Sequence, residues 1–318
     1  MTDAFGTRLL SIAITPHTAA DRDRLRHGLA ALQAVVPTIG VTLRPLTDEV
    51  VIAGIGEMHL EMIIDRLKRE FGVESRVGRP QVAYKETVTR SSDGESKYSQ
   101  EMGGRRHYAH VKIHLYPGTR GSGYVFLDAA AGAIPKQFIQ PIEQGIRGTL
   151  PLGVLAGHPM DDVRVVLYDG SYHAAYSSDL AFRLAGAIAF RDAAANAHPA
   201  LLEPVMRVQV ALPADQMHDA MTDLTSRGGR IQSREHRAGT QVVVAFVPLS
   251  EMFGYAATLR DRSGGRGRLE MQLERYRLTE PLDNRDEDAL AGVPRSPVAP
   301  RRNPGVALPE PIFDDPDD

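Results

Sequence analysis

Two short segments combine residue types suited to contacting RNA. Gly103-Gly104-Arg105-Arg106-His107-Tyr108 sets two Arg and two rings beside a Gly pair. Asp169-Gly170-Ser171-Tyr172-His173 brings small polar residues, an aromatic ring and an imidazole together. Arg takes phosphate, rings take bases by stacking, and Gly allows close backbone approach. Ordinary exposed turns share this composition, and the residues alone leave that alternative open.

Other constellations fail on chemistry or geometry. A phosphate-cradling P-loop needs Gly-Lys at its end, and no Gly-Lys pair occurs in the chain. Gly54–Gly56 follows a strand-like run and opens a helix-like one, but the third Gly of a dinucleotide fingerprint is missing. His110 and His114 share one face of a strand, yet i and i+4 lie about 13 Å apart there, too far to share a metal ion without other ligands. Asp169, Ser171 and His173 are near neighbours in one loop, where nucleophile, base and orienting group rarely align. With no Cys, disulfides and thiolate metal sites are excluded. No catalytic residue, metal site or cofactor is implied.

These segments need elements to hold them. The 318 residues, 42% hydrophobic and 24% charged, suit two or three globular domains. Residues 283–318 hold nine acids against four Arg, so the rest of the chain is close to neutral and has no global basic field. Only five of the 37 basic residues are Lys, a bias that suits phosphate recognition but also follows from a GC-rich genome. No run of about 18 apolar residues suggests a membrane span. Met1–Arg8 lacks the basic and apolar regions of a signal peptide, so the cytoplasm is expected.

Periodicity gives strands at Arg8–Thr15, Thr38–Leu43, Glu49–Ala53 and Val73–Val77. Helices fall after Thr18 (Leu25, Leu29 and Leu32 on one face) and over Glu57–Phe71, where Met58, Met62, Ile63 and Leu67 form the apolar series. The order β-α-β-β-α-β is the ferredoxin-like pattern. It recurs late: strand Met206–Leu212, helix Ala214–Ser226, strands Arg230–Glu235 and Gln241–Val247, a helix with Pro248 at its first position, strand Arg268–Tyr276. Between them come strands at Tyr108–Tyr116, Tyr124–Ala129 and Asp162–Tyr168, and helices at Lys136–Thr149 and Ser177–Ala195. The polar, Gly- and Ser-rich stretch Arg90–Gly104 is expected to be an exposed loop. The expected division is 1–86, 87–204 and 205–280, with 281–318 a disordered Pro- and acid-rich tail.

Longer motifs carry a family resemblance. VIAGIGEMHLEMIIDRLKREFGVESRVGRPQVAYKE (Val51–Glu86) resembles the third domain of bacterial elongation factor G. RGSGYVFLDAAAGAIPKQFI (Arg120–Ile139) and VRVVLYDGSYHAAYSSDLAFRLAG (Val163–Gly186) resemble its fourth. LEPVMRV (Leu202–Val208), AFVPLSEMFGY (Ala245–Tyr255) and Gly-Arg-Gly at 265–267 resemble its fifth. The resemblance runs from Arg8 to Glu280. It implies an α+β fold in which two ferredoxin-like domains flank a domain similar to ribosomal protein S5. It also implies that the fourth domain is an arm reaching the decoding centre, with Gly103–Tyr108 and Gly170–His173 as its tip loops and His173 against tRNA or mRNA. Glu57 and His59 would face the GTPase and the small subunit.

The departures matter equally. The GTPase and β-barrel domains have no counterpart here, and the family's closing helix is not recognisable after Glu280. Where the family's first tip loop carries Gly, Gln and Gly, this chain has Arg106, His107 and Ala109, which adds charge and bulk. The reading is a ribosome-binding protein without GTP hydrolysis of its own. Two rivals are a decoy that sequesters an elongation factor G inhibitor between the third and fifth domains, and a subunit complementing a separate GTPase chain.

Overall fold

A computed structural model describes residues 8–44, 49–102, 104–237 and 240–279. Gly103 and the 281–318 tail lie outside the described residues.

The first sheet comprises β1 (Leu10–Pro16), β2 (Gly40–Arg44), β3 (Glu49–Gly54) and β4 (Ser75–Val77), in the order β2-β3-β1-β4. All neighbours are antiparallel, and the two-residue β5 (Gln81–Val82) pairs with β1. Helices α1 (Ala19–Val35) and α2 (Glu57–Phe71) complete the ferredoxin-like unit. Thr18 caps α1: its hydroxyl accepts from Asp21 N–H at 3.1 Å. Asp21 is buried and accepts from the Thr18 hydroxyl, from Arg24, and from Glu74 N–H at 3.1 Å, so it ties the start of α1 to the approach to β4.

Leu25, Leu29 and Leu32 are buried as expected. On α2 the face differs. Leu60, Ile63 and Leu67 point into the core, while Met58 and Met62 are 63% and 48% exposed. Apolar residues occupy both sides of this helix, so periodicity alone does not choose between them; the sheet does.

The middle unit has β6 (Lys85–Val88), β7 (Ser92–Met102), β8 (Arg105–Pro117), β9 (Tyr124–Asp128), α3 (Ile139–Thr149), β10 (Val163–Ser171) and α4 (Asp179–Asn196). Its sheet runs β7-β8-β10-β9, with only β10 and β9 parallel. Ala109, Val111, Ile113 and Leu115 alternate inward from β8 against α4. The expected loop at 90–104 is instead largely the eleven-residue strand β7. Its charged side chains face outward while Ser96 is buried, and Gly94 lets it lie directly on α4: a Cβ there would stand 2.1 Å from the Ala189 carbonyl oxygen. Gly and Ser mark close packing here, not a turn.

The last unit has β11 (Pro199–Pro213), α5 (Met217–Ser226), β12 (Arg230–Arg237), β13 (Thr240–Pro248), α6 (Tyr255–Ser263) and β14 (Arg268–Leu278), in the sheet order β12-β13-β11-β14. It repeats the first unit's topology. Pro248 does not open the second helix. It ends β13, a 3-10 turn spans Leu249–Met252, and α6 starts only after Gly254, whose φ of 69° breaks the helical path.

One buried carboxylate fastens the units together. β6 pairs with the first residues of β11, in the last unit's sheet. From β6 the fully buried Glu86 enters the middle unit. Its Oε2 accepts from Val154 and Leu155 N–H at 2.6 and 2.8 Å, and its Oε1 from Ala156 and His158 N–H at 2.7 and 3.0 Å. Gly153, at φ 59°, makes the turn possible. Lys85 beside it pairs with Asp161 at 2.5 Å and lies over the Tyr276 ring.

Glu86→Gln would offer an NH2 group to two of those four donors. The expected cost is about 3 kcal/mol, visible as a fall in thermal midpoint. An unchanged midpoint would show that the loop does not depend on this charge. Thr18 first, then Arg24 and Glu74 N–H, hold the Asp21 carboxyl well below its usual range. The folded state therefore binds this proton less tightly than the unfolded one. The stabilisation is complete above about pH 4 and is lost as pH falls through the depressed folded value. Asp21→Asn should lower stability at neutral pH and flatten the acid limb of a stability–pH curve.

Candidate nucleic-acid interface

The two segments singled out in the sequence meet at one end of the middle unit. Strand pairing brings Met102 opposite Arg105, and Gly104 has φ 72°. Arg105 opens β8, and Arg106 beside it is exposed. His107 and Tyr108 turn toward the second segment. His107 Nδ1 lies 2.9 Å from Ser178 Oγ, the side chain that caps α4. The Tyr108 hydroxyl lies 2.8 Å from Ser171 Oγ, and Tyr108 N–H donates to the Tyr176 carbonyl at 2.8 Å.

β10 extends further than periodicity suggests. It carries a bulge between Leu167 and Asp169 and keeps Gly170 and Ser171 within the strand, opposite Val111 and His110. A β-bulge re-aims the chain, which the alternation of side chains does not reveal. Gly170 N–H first, then the Lys112 ammonium 3.1 Å away, hold the Asp169 carboxyl below its usual range. Ser171 Oγ also lies 3.3 Å from His110 Nδ1. Asp169, Ser171 and His173 thus have separate partners and form no relay. His110 and His114 bond instead to Glu95 and Asp93 on β7. Among the described residues no group of three or more His, Asp or Glu is placed to hold a metal ion.

Beyond β10, Tyr172 and His173 are exposed. His173 N–H donates to Ser177 Oγ at 2.9 Å, and that hydroxyl donates on to the Tyr108 carbonyl at 2.9 Å. Ala175 N–H donates to His173 Nδ1 at 3.1 Å. Tyr176 stacks on His173, ring centroids 4.3 Å apart. Tyr176 and Ser177 were not picked out by sequence. The helix was expected to open at Ser177, whereas Ser178 caps it and Asp179 begins it, and nothing in residue spacing shows that Ser177 bridges to β8.

Glu57 and His59 sit elsewhere. Glu57 Oε2 accepts from Gly254 N–H at 3.0 Å, so the first turn of α2 meets the start of α6 in the last unit. A carboxylate at a helix start also suits the helix dipole. His59 lies over Gly54. Its Nδ1 accepts from Ile55 N–H at 3.3 Å, its Nε2 lies 3.5 Å from Thr38 Oγ1, and partial burial pushes its imidazole down.

Ser178→Ala removes both the α4 cap and the His107 contact. The expected loss is about 1 kcal/mol, with faster amide exchange in 104–108 and 172–177 than in the rest of the β7–β8–β10 sheet. Equal exchange in both regions would mean the two segments are not coupled through Ser178.

Comparison with known proteins accounts for most of the chain. Residues 5–79 match the family model for elongation factor G domain III, residues 80–198 that for domain IV, and residues 200–285 that for the elongation factor G C-terminus. The crystal structure of ttk003000868 from Thermus thermophilus superposes with a TM-score of 0.73 at 35% identity, covering 87% of this chain and 42% of that one. The chain spans less than half the length of that protein. No described helix is long and apolar enough to cross a membrane. The chain belongs to the elongation factor G family, of which it carries domains III and IV and the C-terminal domain.

Proposed function

We propose that this chain docks on the ribosome and sets its domain IV arm near the decoding centre, without hydrolysing GTP itself. The observation that carries the reading is the joint tip. Gly104–Tyr108 and Gly170–His173, far apart in sequence, converge on one end of a rigid sheet and leave Arg106, Tyr172 and His173 exposed. Arg for phosphate, rings for bases and a close-packed backbone are the contacts RNA recognition uses. Absence of a Gly-Lys pair leaves these residues no P-loop, so occupancy rather than a hydrolysis-driven stroke is the expected mode of action.

A second reading, in which the chain complements a separate GTPase chain, is favoured by one observation. Met58 and Met62, 63% and 48% exposed, lie on the outer side of α2, and Ile55, 46% exposed, just precedes the helix. Such exposed apolar residues suit a protein contact.

Co-sedimentation of the purified chain with 70S ribosomes across a salt series, without nucleotide, tests the first reading. The expected result is saturable binding that falls steeply with salt, and a salt slope smaller by about one unit for Arg106→Ala. No binding at low salt overturns ribosome docking. Binding that appears only when a GTPase partner is added, and disappears with Met58→Asp, would favour the second reading.

A further inference from the structure

Among the described residues, exposed Tyr and Phe rings are confined to one loop. Among the described residues, Tyr172 and Tyr176 are the only Tyr or Phe side chains in the exposed class, at 50% and 40%, and the chain has no Trp. Every other described Tyr or Phe is buried or half-buried. The two are four residues apart, with the exposed His173 between them.

We propose that the His173–Tyr176 ring pair, with Tyr172 beside it, is a stacking platform for one unstacked nucleobase of a single-stranded RNA segment. The inference rests on the reading that this tip contacts RNA, and adds the form of RNA it takes. The two rings are already stacked, with centroids 4.3 Å apart and planes 24° apart. Their backbone is pinned on all sides. Tyr176 and Ser177 N–H donate to the His173 carbonyl at 3.2 and 2.9 Å, and the Tyr176 carbonyl accepts from Tyr108 N–H at 2.8 Å. Ser177 Oγ links His173 N–H to the Tyr108 carbonyl. A platform ordered before binding loses little conformational freedom when a base arrives. Because His173 Nδ1 accepts from Ala175 N–H, Nε2 is left as the ring's outward N–H donor, able to meet the edge of a stacked base.

The ring arrangement favours a base with a free face. In a duplex each base face is covered by its neighbours, whereas loops, bulges and ends offer bases that can splay onto an aromatic ring. Arg106, exposed two residues before Tyr108 on β8, supplies a cation for the adjoining phosphate.

The test uses the full chain and a short single-stranded RNA with 2-aminopurine at its centre, alongside the same strand annealed to its complement. Absence of Trp keeps the 2-aminopurine signal clear of the protein's own emission. The single strand should bind with fluorescence quenching, and the duplex more weakly and without it. Tyr176→Leu should weaken single-strand binding about tenfold and abolish the quenching while leaving the salt slope unchanged. Tyr176→Phe should retain both, which separates loss of stacking from loss of fold. Arg106→Ala should show the reverse pattern, a smaller salt slope with quenching intact. Equal binding of duplex and single strand, no quenching by the unaltered chain, or a Tyr176→Leu variant that matches it would each overturn the platform. So would a Tyr176→Leu variant that loses ribosome binding but not RNA binding, since the rings would then face a ribosomal protein. Quenching by free RNA without any ribosome binding would uphold the platform and overturn ribosome docking.

Discussion

A carboxylate removed from water must find donors for its lone pairs, and at Glu86 four backbone N–H groups stand in for solvent. The donors belong to one loop, 154–158, while Glu86 belongs to a strand that completes another sheet. Through this side chain the sheet of the C-terminal domain and the base of the domain IV arm become one body. Neighbouring contacts run the same way: Asp161 N–H donates to the Glu86 carbonyl at 2.8 Å, and Glu86 N–H donates to the Pro159 carbonyl at 2.8 Å. Uncovering any of these groups would leave a buried donor or acceptor unmet, a cost that opposes opening of the junction.

The junction connects to the tip by way of β8 and β10. Both strands run between the arm's base and the residues that contact one another at its far end. β7 packs closely on α4 at Gly94, and the Ser178 that caps α4 also meets His107. Arg106, Tyr172 and His173 therefore extend from a framework whose own polar groups are largely satisfied. Recognition of a flexible polymer gains from such order, because the protein side gives up little freedom on binding.

Domain III joins the same body through a second charge-assisted contact, Glu57 to Gly254 N–H. Its outer helix face meanwhile keeps Met58 and Met62 in solvent. The polar and aromatic tip and the exposed apolar residues of α2 thus lie on different domains.

Much of this was legible in the residue order. Two βαββαβ patterns, the cap at Thr18, and the motifs shared with elongation factor G depend on local periodicity and local hydrogen bonding, which sequence states directly. The tip segments were also visible as residue types. What the sequence could not decide were the matters set by partners distant along the chain. The strand at 92–102 reads as a loop because its glycine serves α4. The inward face of α2 is chosen by the sheet beneath it. Glu86 looks like any surface glutamate until a loop 70 residues away wraps it. Tyr176 gains its meaning only from the ring it stacks on. In each case the deciding energy lies in a contact between segments, and such contacts exist only once the chain has closed upon itself.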